Sequence, residues 1–136
     1  MKFQLKTQQL NELSCDCIIV FCYEKSFSVS AKQLDGVMKK HLSKMLSCSD
    51  QVNNPGDHAF FPITQDLKAK NVLLIQLGNK IELCQDSLKS YLANAFASLA
   101  KTSTRTVTIA LNDLKTIKNS SEQDLLLIAE TLTRAY

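Results

Sequence analysis

The chain has 136 residues, 45% of them hydrophobic and 21% charged, with a formal net charge of +3 at pH 7. This length corresponds to one domain, able to bury about two-thirds of its unfolded surface without disulfide or metal staples. The positive charge is too small and scattered to argue for a nucleic-acid or anionic-membrane binder, and no apolar run reaches the roughly eighteen residues of a membrane span.

The opening "MKFQLKTQQL" alternates polar and apolar residues around Phe3 and Leu5, so residues 2–7 are expected to form a half-buried strand, and the apolar core of a signal peptide is missing. "CDCIIVFCY", Cys15 to Tyr23, is β-branched, aromatic and almost continuously apolar, the composition of a strand covered on both faces. From Ser30 to about Cys48 the period changes. Leu34, Val37, Met38, His41, Leu42 and Met45 recur at helical spacing and predict one helix, with Ser30 as its N-cap.

"SDQVNNPGD", Ser49 to Asp57, is the strongest turn signal. "HAFFPIT" reads as a short strand, and Pro62, which has no N–H to donate, places it at a sheet edge. "NVLLIQL" is a second continuous strand, expected in the centre, with Leu73, Ile75 and Leu77 on one face and Val72, Leu74 and Gln76 on the other. Residues 86–101 predict a helix with Leu88, Tyr91, Leu92, Ala95 and Leu99 on one side and Asp86 as its cap. "RTVTIAL" predicts a strand with Val107, Ile109 and Leu111 on one face. Residues 121–134 predict a last helix that opens with Ser120 and Gln123 at capping-box spacing.

Five strands and three helices in this order predict an α/β domain, a mixed central sheet with helices on both faces. The short link between "HAFFPIT" and "NVLLIQL" predicts that those two strands pair antiparallel.

"KNVLLIQLGNK" raises the question of a phosphate loop, because an apolar strand running into Gly and Lys is how such loops begin. The three glycines, Gly36, Gly56 and Gly78, lie about twenty residues apart. A dinucleotide fingerprint needs three within six residues, and a P-loop needs Gly-Lys-Ser/Thr where this chain has Gly78-Asn79. Neither motif is present, and Gly78 is read as the turn that ends the strand.

Five cysteines, an odd number in mostly apolar contexts, suit a reducing, cytoplasmic location. Cys15 and Cys17 are expected to share a strand face, with Cys22 on the opposite one. Neither Cys48 nor Cys84 has a partner at metal-ligand spacing, so small buried hydrophobes outweigh a zinc site. His41 reads as a core or interface histidine and His58 as a solvated turn residue. The sequence contains no H-E-x-x-H and no G-x-S-x-G. Asp113, Glu122, Asp124 and Glu130 read as solvated charges. Lys39, Lys40 and Lys44 read as a solvated basic side of the first helix, since no aromatics interleave with them. No catalytic, cofactor-binding or metal-binding residue is assigned in this chain.

The order of elements resembles the N-terminal domain of the cytosol (leucyl) aminopeptidase family, most of all its bacterial aminopeptidase A members. A "D-x-hydrophobic-V" strand, here Asp16 to Val20, leads into an "A-x-x-L-D" helix, here Ala31 to Asp35. "NPGDHAFFPI" and "KNVLLIQLGNK" follow, and "AETLTRAY", Ala129 to Tyr136, resembles the segment before the link to the catalytic domain. Gln76 stands where the family often has Gly.

The resemblance covers essentially residues 1–136 and implies a macro-domain-like fold and a non-catalytic role. It implies a cytosolic parent enzyme that removes N-terminal residues, leucine among them, with two divalent metals, manganese or zinc. The metal ligands belong to a C-terminal catalytic domain whose signature "N-T-D-A-E-G-R" is not in this chain. The implied partners are that catalytic domain, further copies in a hexamer and, for the parent, a peptide; some bacterial members also bind DNA. The alternative readings are a stand-alone macro-like module for a nucleotide or ADP-ribose and a DNA-contacting accessory domain. Within the last helix, Leu127 lies nearly opposite the stripe of Leu125, Ile128, Ala129, Leu132 and Tyr136, and with part of Leu126 is expected to mark a contact with the missing domain or a neighbouring subunit, the alternative being a helix buried on most sides within this domain.

Overall fold

The computed structural model describes residues 14–24, 26–47, 52–62, 68–79 and 84–109. The expected strand at 2–7, Cys48, the helix at 121–134 with Leu127, and Asp113, Glu122, Asp124 and Glu130 lie outside them.

The described elements run in the order β1 (Cys17–Tyr23), β2 (Ser26–Phe27), α1 (Val29–Val37), α2 (His41–Ser47), β3 (His58–Pro62), β4 (Asn71–Gln76), α3 (Gln85–Ala100) and β5 (Val107–Ile109). The strands form one mixed sheet. β1 pairs parallel with β4 along six residues, from Cys17 opposite Asn71 to Cys22 opposite Gln76. On its other side β1 pairs parallel with β5 over Cys17–Ile19 and antiparallel with β2 at Cys22 and Tyr23. β3 is antiparallel to β4 and lies at the end of the strand order, so Pro62 sits on a strand with no further partner among the described residues.

The period-2 alternation of the two central strands divides the core. Cys17, Ile19 and Phe21 of β1 and Leu73 and Ile75 of β4, with Leu77 just beyond, pack on Leu88, Leu92, Ala95, Phe96 and Leu99 of α3. Ile18, Val20, Cys22, Val72 and Leu74 face the other way, onto Ala31 and Leu34 of α1, Met38 and Leu42. Most of these side chains are fully buried, each leucine or isoleucine contributing about 1.5–3 kcal/mol relative to exposure. The result is the expected α/β architecture with helices on both faces. Its five described strands include the two-residue β2, which the sequence pattern did not indicate.

The predicted single helix from Ser30 to Cys48 is two helices. Lys39 and Lys40 both take left-handed backbone angles, φ 54° and 63°, and close α1 through Lys39 N–H to Gly36 O and Lys40 N–H to Asp35 O. Neither residue is Gly or Asn, so local chemistry did not signal the break. Val37, the last residue of α1, is 44% exposed, although it belonged to the predicted stripe. The carboxylate of Asp35, buried in the α1–α2 corner, accepts the Ser43 N–H at 3.0 Å and also the Ser43 hydroxyl, which satisfies a free donor in the first turn of α2.

Two caps also differ from expectation. α1 is capped by Ser28, whose Oγ accepts the Ala31 N–H at 3.3 Å. At α3 the N-cap position belongs to Cys84, without a side-chain cap bond, and Asp86 lies inside the first turn, where its charge complements the helix dipole.

Candidate functional site

In α/β sheets, ligands bind outside the carboxyl ends of parallel strands, where loops leave a crevice. Here that place is the end of β1 and β4, where three segments converge: the β1–β2 turn at Glu24, the 53–57 loop, and residues 77–79 after β4. Gln76, the last residue of β4, joins all three. Its main chain accepts the Gly56 N–H and donates to Asp57 O, both at 2.8 Å. Its side chain is 1% exposed. Oε1 accepts the Glu24 N–H at 2.7 Å and the Gly78 N–H at 2.9 Å, and Nε2 donates to Glu24 O at 2.8 Å. Leu77 N–H completes the end by donating to Cys22 O.

The two glycines at this end are required by geometry. Gly56 and Gly78 have φ of 92° and 77°. A Cβ on Gly78 would fall 2.8 Å from Pro55 Cγ, and one on Gly56 would fall 2.8 Å from Tyr91 Cδ1. Pro55 therefore lies on Gly78, and Tyr91 of α3 lies on Gly56. The 53–57 loop is pinned from within, with Asp57 Oδ2 accepting the Asn54 N–H at 2.9 Å and the Asn53 N–H at 3.3 Å. Chemically, a phosphate cradle needs free backbone donors, and the amides of Glu24, Gly56 and Gly78 each donate to Gln76 instead. The expectation that Gly78 ends the strand holds. The signal for Gln76 was a polar residue closing an apolar run.

The opposite end of the sheet is tied by Asp16. Its carboxylate accepts the Arg105 N–H at 2.8 Å and the Thr106 N–H at 3.3 Å, with Lys70 Nζ 3.7 Å away. Asp16 N–H in turn donates to Thr106 Oγ1 at 2.8 Å, and Asp16 O accepts the Asn71 N–H. The backbone bonds from Arg105, then Thr106, hold this carboxyl below the usual carboxylate range. The starts of β1, β4 and β5 thus meet at one side chain.

The cysteines are dispersed. β1 begins at Cys17, so Cys15 precedes the strand and lies in the α1–α2 core with Cys22, whereas Cys17 faces α3. The expectation that Cys15 and Cys17 share a face fails, because a residue outside the pleat does not follow its alternation. Burial, with a smaller contribution from Cys15, pushes the Cys17 thiol up to about 12, and burial does the same to Cys22. Cys84 is exposed; its Sγ lies 3.2 Å from Ser87 Oγ, and hydrogen bonding from the Ser87 side chain, then the Ser87 backbone, lowers its pKa.

His58 is not a solvated turn residue. It opens β3 half-buried, with Nε2 2.9 Å from Ser98 Oγ on α3. His41 is the half-buried first residue of α2, its N–H donating to Met38 O. Lys39, Lys40 and Lys44 are exposed, the first two as the left-handed closure of α1. Among the described residues no three His, Cys, Asp or Glu side chains come together as a metal site, and no helix is long and apolar enough to cross a membrane.

Compared with known proteins, residues 19–136 match the model of the cytosol aminopeptidase family, N-terminal domain. The chain belongs to that family. Over 116 residues it is 27% identical to the cytosol aminopeptidase of Haemophilus influenzae strain Rd, covering 85% of this chain and 23% of that protein. It is 29% identical over 103 residues to a probable cytosol aminopeptidase of Baumannia cicadellinicola, covering 75% of this chain and 21% of that protein. The domain thus spans less than a quarter of the length of these relatives. Its fold is that of the macrodomain of Mycobacterium tuberculosis DarG, with a TM-score of 0.73 over 95% of this chain and 88% of that one, at 6% identity. In this family domain, the motif residues Asp16, Ala31, Leu34 and Asp35 have structural work: Asp16 gathers three strands, Ala31 and Leu34 fill the core, and Asp35 caps α2.

Proposed function

We propose that this domain is the non-catalytic N-terminal part of a cytoplasmic, two-metal leucyl aminopeptidase that removes N-terminal residues from peptides. The observation that carries this reading is the family match over residues 19–136. The relatives' shared name supplies the peptidase activity, and their greater length leaves room for catalytic machinery outside a domain of this size. On this reading manganese or zinc would be held by residues of the catalytic domain and would supply Lewis-acid activation of the peptide carbonyl and of water there. The partners of this domain are the catalytic domain and other copies in a hexamer.

The test is hydrolysis of leucyl-p-nitroanilide with added Mn2+ or Zn2+. It is run on the isolated 136-residue chain and on the whole polypeptide in which the chain occurs. Turnover is expected only from the latter. Turnover by the chain alone, or none by the whole polypeptide, overturns the proposal.

The macrodomain likeness favours a second reading, a module for a nucleotide or ADP-ribose. Against it stands the internal use of the Glu24, Gly56 and Gly78 amides. On the first reading ADP-ribose binds with a dissociation constant weaker than about 1 mM, worth less than about 4 kcal/mol. Micromolar affinity by titration calorimetry puts the second reading first.

A further inference from the structure

We propose that the Gln76 carboxamide is a clasp. It makes Glu24, just after β1, and Gly78, just after β4, open and close as one unit, and the space it fills is matched to a primary carboxamide. Gln76 is one of only three buried polar residues among those described, and its side chain forms three hydrogen bonds of 2.7–2.9 Å. Two of them go to one residue: Glu24 gives its N–H to Oε1 and takes Nε2–H on its carbonyl. That two-point contact is how one residue pairs with another across an antiparallel sheet, so the side chain acts as an added strand residue beyond the end of β4.

Glu24 needs this hold. Its φ is 49°, in the left-handed region that a side chain with a Cβ disfavours. The same Oε1 also takes the Gly78 N–H. Lifting the carboxamide therefore strips Glu24 and Gly78 of their acceptor together; Gly78 is buried, and a buried donor left unpaired is costly. The neighbouring 53–57 loop is held differently. Gly56 N–H and Asp57 O bond to the main chain of residue 76, which any side chain there preserves. The structure thus separates what belongs to the clasp from what belongs to the strand.

Native-state hydrogen exchange reads this separation. In the wild-type chain the Glu24 and Gly78 amides are expected to exchange through one opening, with the same denaturant dependence. In Gln76→Ala their protection should fall by about tenfold, the change that losing one ordinary hydrogen bond produces, while Gly56 keeps its protection. Acetamide, which has the atoms that this substitution removes, should restore protection of both amides at high concentration. Gln76→Glu keeps the acceptor oxygens and loses the donor, so it should retain the Gly78 protection; it serves as the second variant if Gln76→Ala does not fold. Unequal denaturant dependence in the wild type, unchanged protection in the variant, or a loss shared equally by Gly56 and the amides of α1 overturns the clasp. Failure of acetamide to restore either amide overturns the matched space.

Discussion

Gly56→Ala tests how the end of the sheet is packed against α3. At φ 92° an alanine is in a region that L residues avoid, at a cost of about 1–2 kcal/mol. Its methyl would also fall 2.8 Å from Cδ1 and 3.1 Å from Cε1 of Tyr91. The ring is half-buried against the α3 core, so it can tilt only in part. Overpacking of this kind costs typically 1–3 kcal/mol, and a partial tilt keeps it at about 1–2. Together the substitution should cost about 2–4 kcal/mol.

The two contributions separate in a double-mutant cycle with Tyr91→Ala, which deletes the ring and leaves the backbone requirement. In that background Gly56→Ala should cost only the conformational part, giving a coupling of about 1–2 kcal/mol by the same reasoning. The assay is urea unfolding followed by circular dichroism, comparing midpoints at unchanged slope. A cost for Gly56→Ala below about 0.5 kcal/mol, the size of an ordinary surface change, refutes the backbone argument. Equal costs in the two backgrounds refute the packing argument.

Gly36 is the converse case, exposed within α1 with nothing within 4 Å of a built Cβ. Gly36→Ala should therefore stabilise the chain by about 0.5–1 kcal/mol, and a lowered melting temperature would contradict this. Because the folded state holds the Asp16 carboxyl below its unfolded value, its contribution is present above the unfolded carboxylate range and is lost as pH falls through the folded value. Asp16→Asn should accordingly flatten the acid limb of the stability–pH profile, and an unchanged limb would argue against the Arg105 and Thr106 bonds. Cys84, exposed and with a lowered pKa, should be alkylated by iodoacetamide in the native chain well before Cys17 and Cys22, whose thiols are buried and pushed up to about 12. Peptide mapping that finds Cys17 or Cys22 modified first would refute the burial argument.

The parts of the fold readable in the sequence were those where local pattern and tertiary position make the same demand. β1 and β4 are nearly continuous apolar runs because both faces are covered, and the alternation of β4 assigned Leu73, Ile75 and Leu77 to one side before any contact was known. Pro62 marked the edge because a missing N–H has the same meaning in any sheet. The absence of a glycine-rich loop could also be read directly, since close phosphate approach excludes Cβ atoms.

Other features were decided only in three dimensions. The stripe from Leu34 to Met45 keeps helical spacing across the α1–α2 break, because Met38 and Leu42 stay in one core while Lys39 and Lys40 take left-handed angles that lysine does not advertise. His58 and Ser98 are forty residues apart and meet only because α3 packs onto the sheet. Gln76 looked like the polar end of an apolar run. Its role depends on Glu24, fifty-two residues earlier, and on Gly78, and hydrogen bonds over such separations leave no period or spacing in the chain. The sequence by itself therefore determined which residues of β4 are buried and on which side. The tertiary structure decided which polar groups find one another, because burial repeats with the period of the local backbone and pairing between distant segments does not.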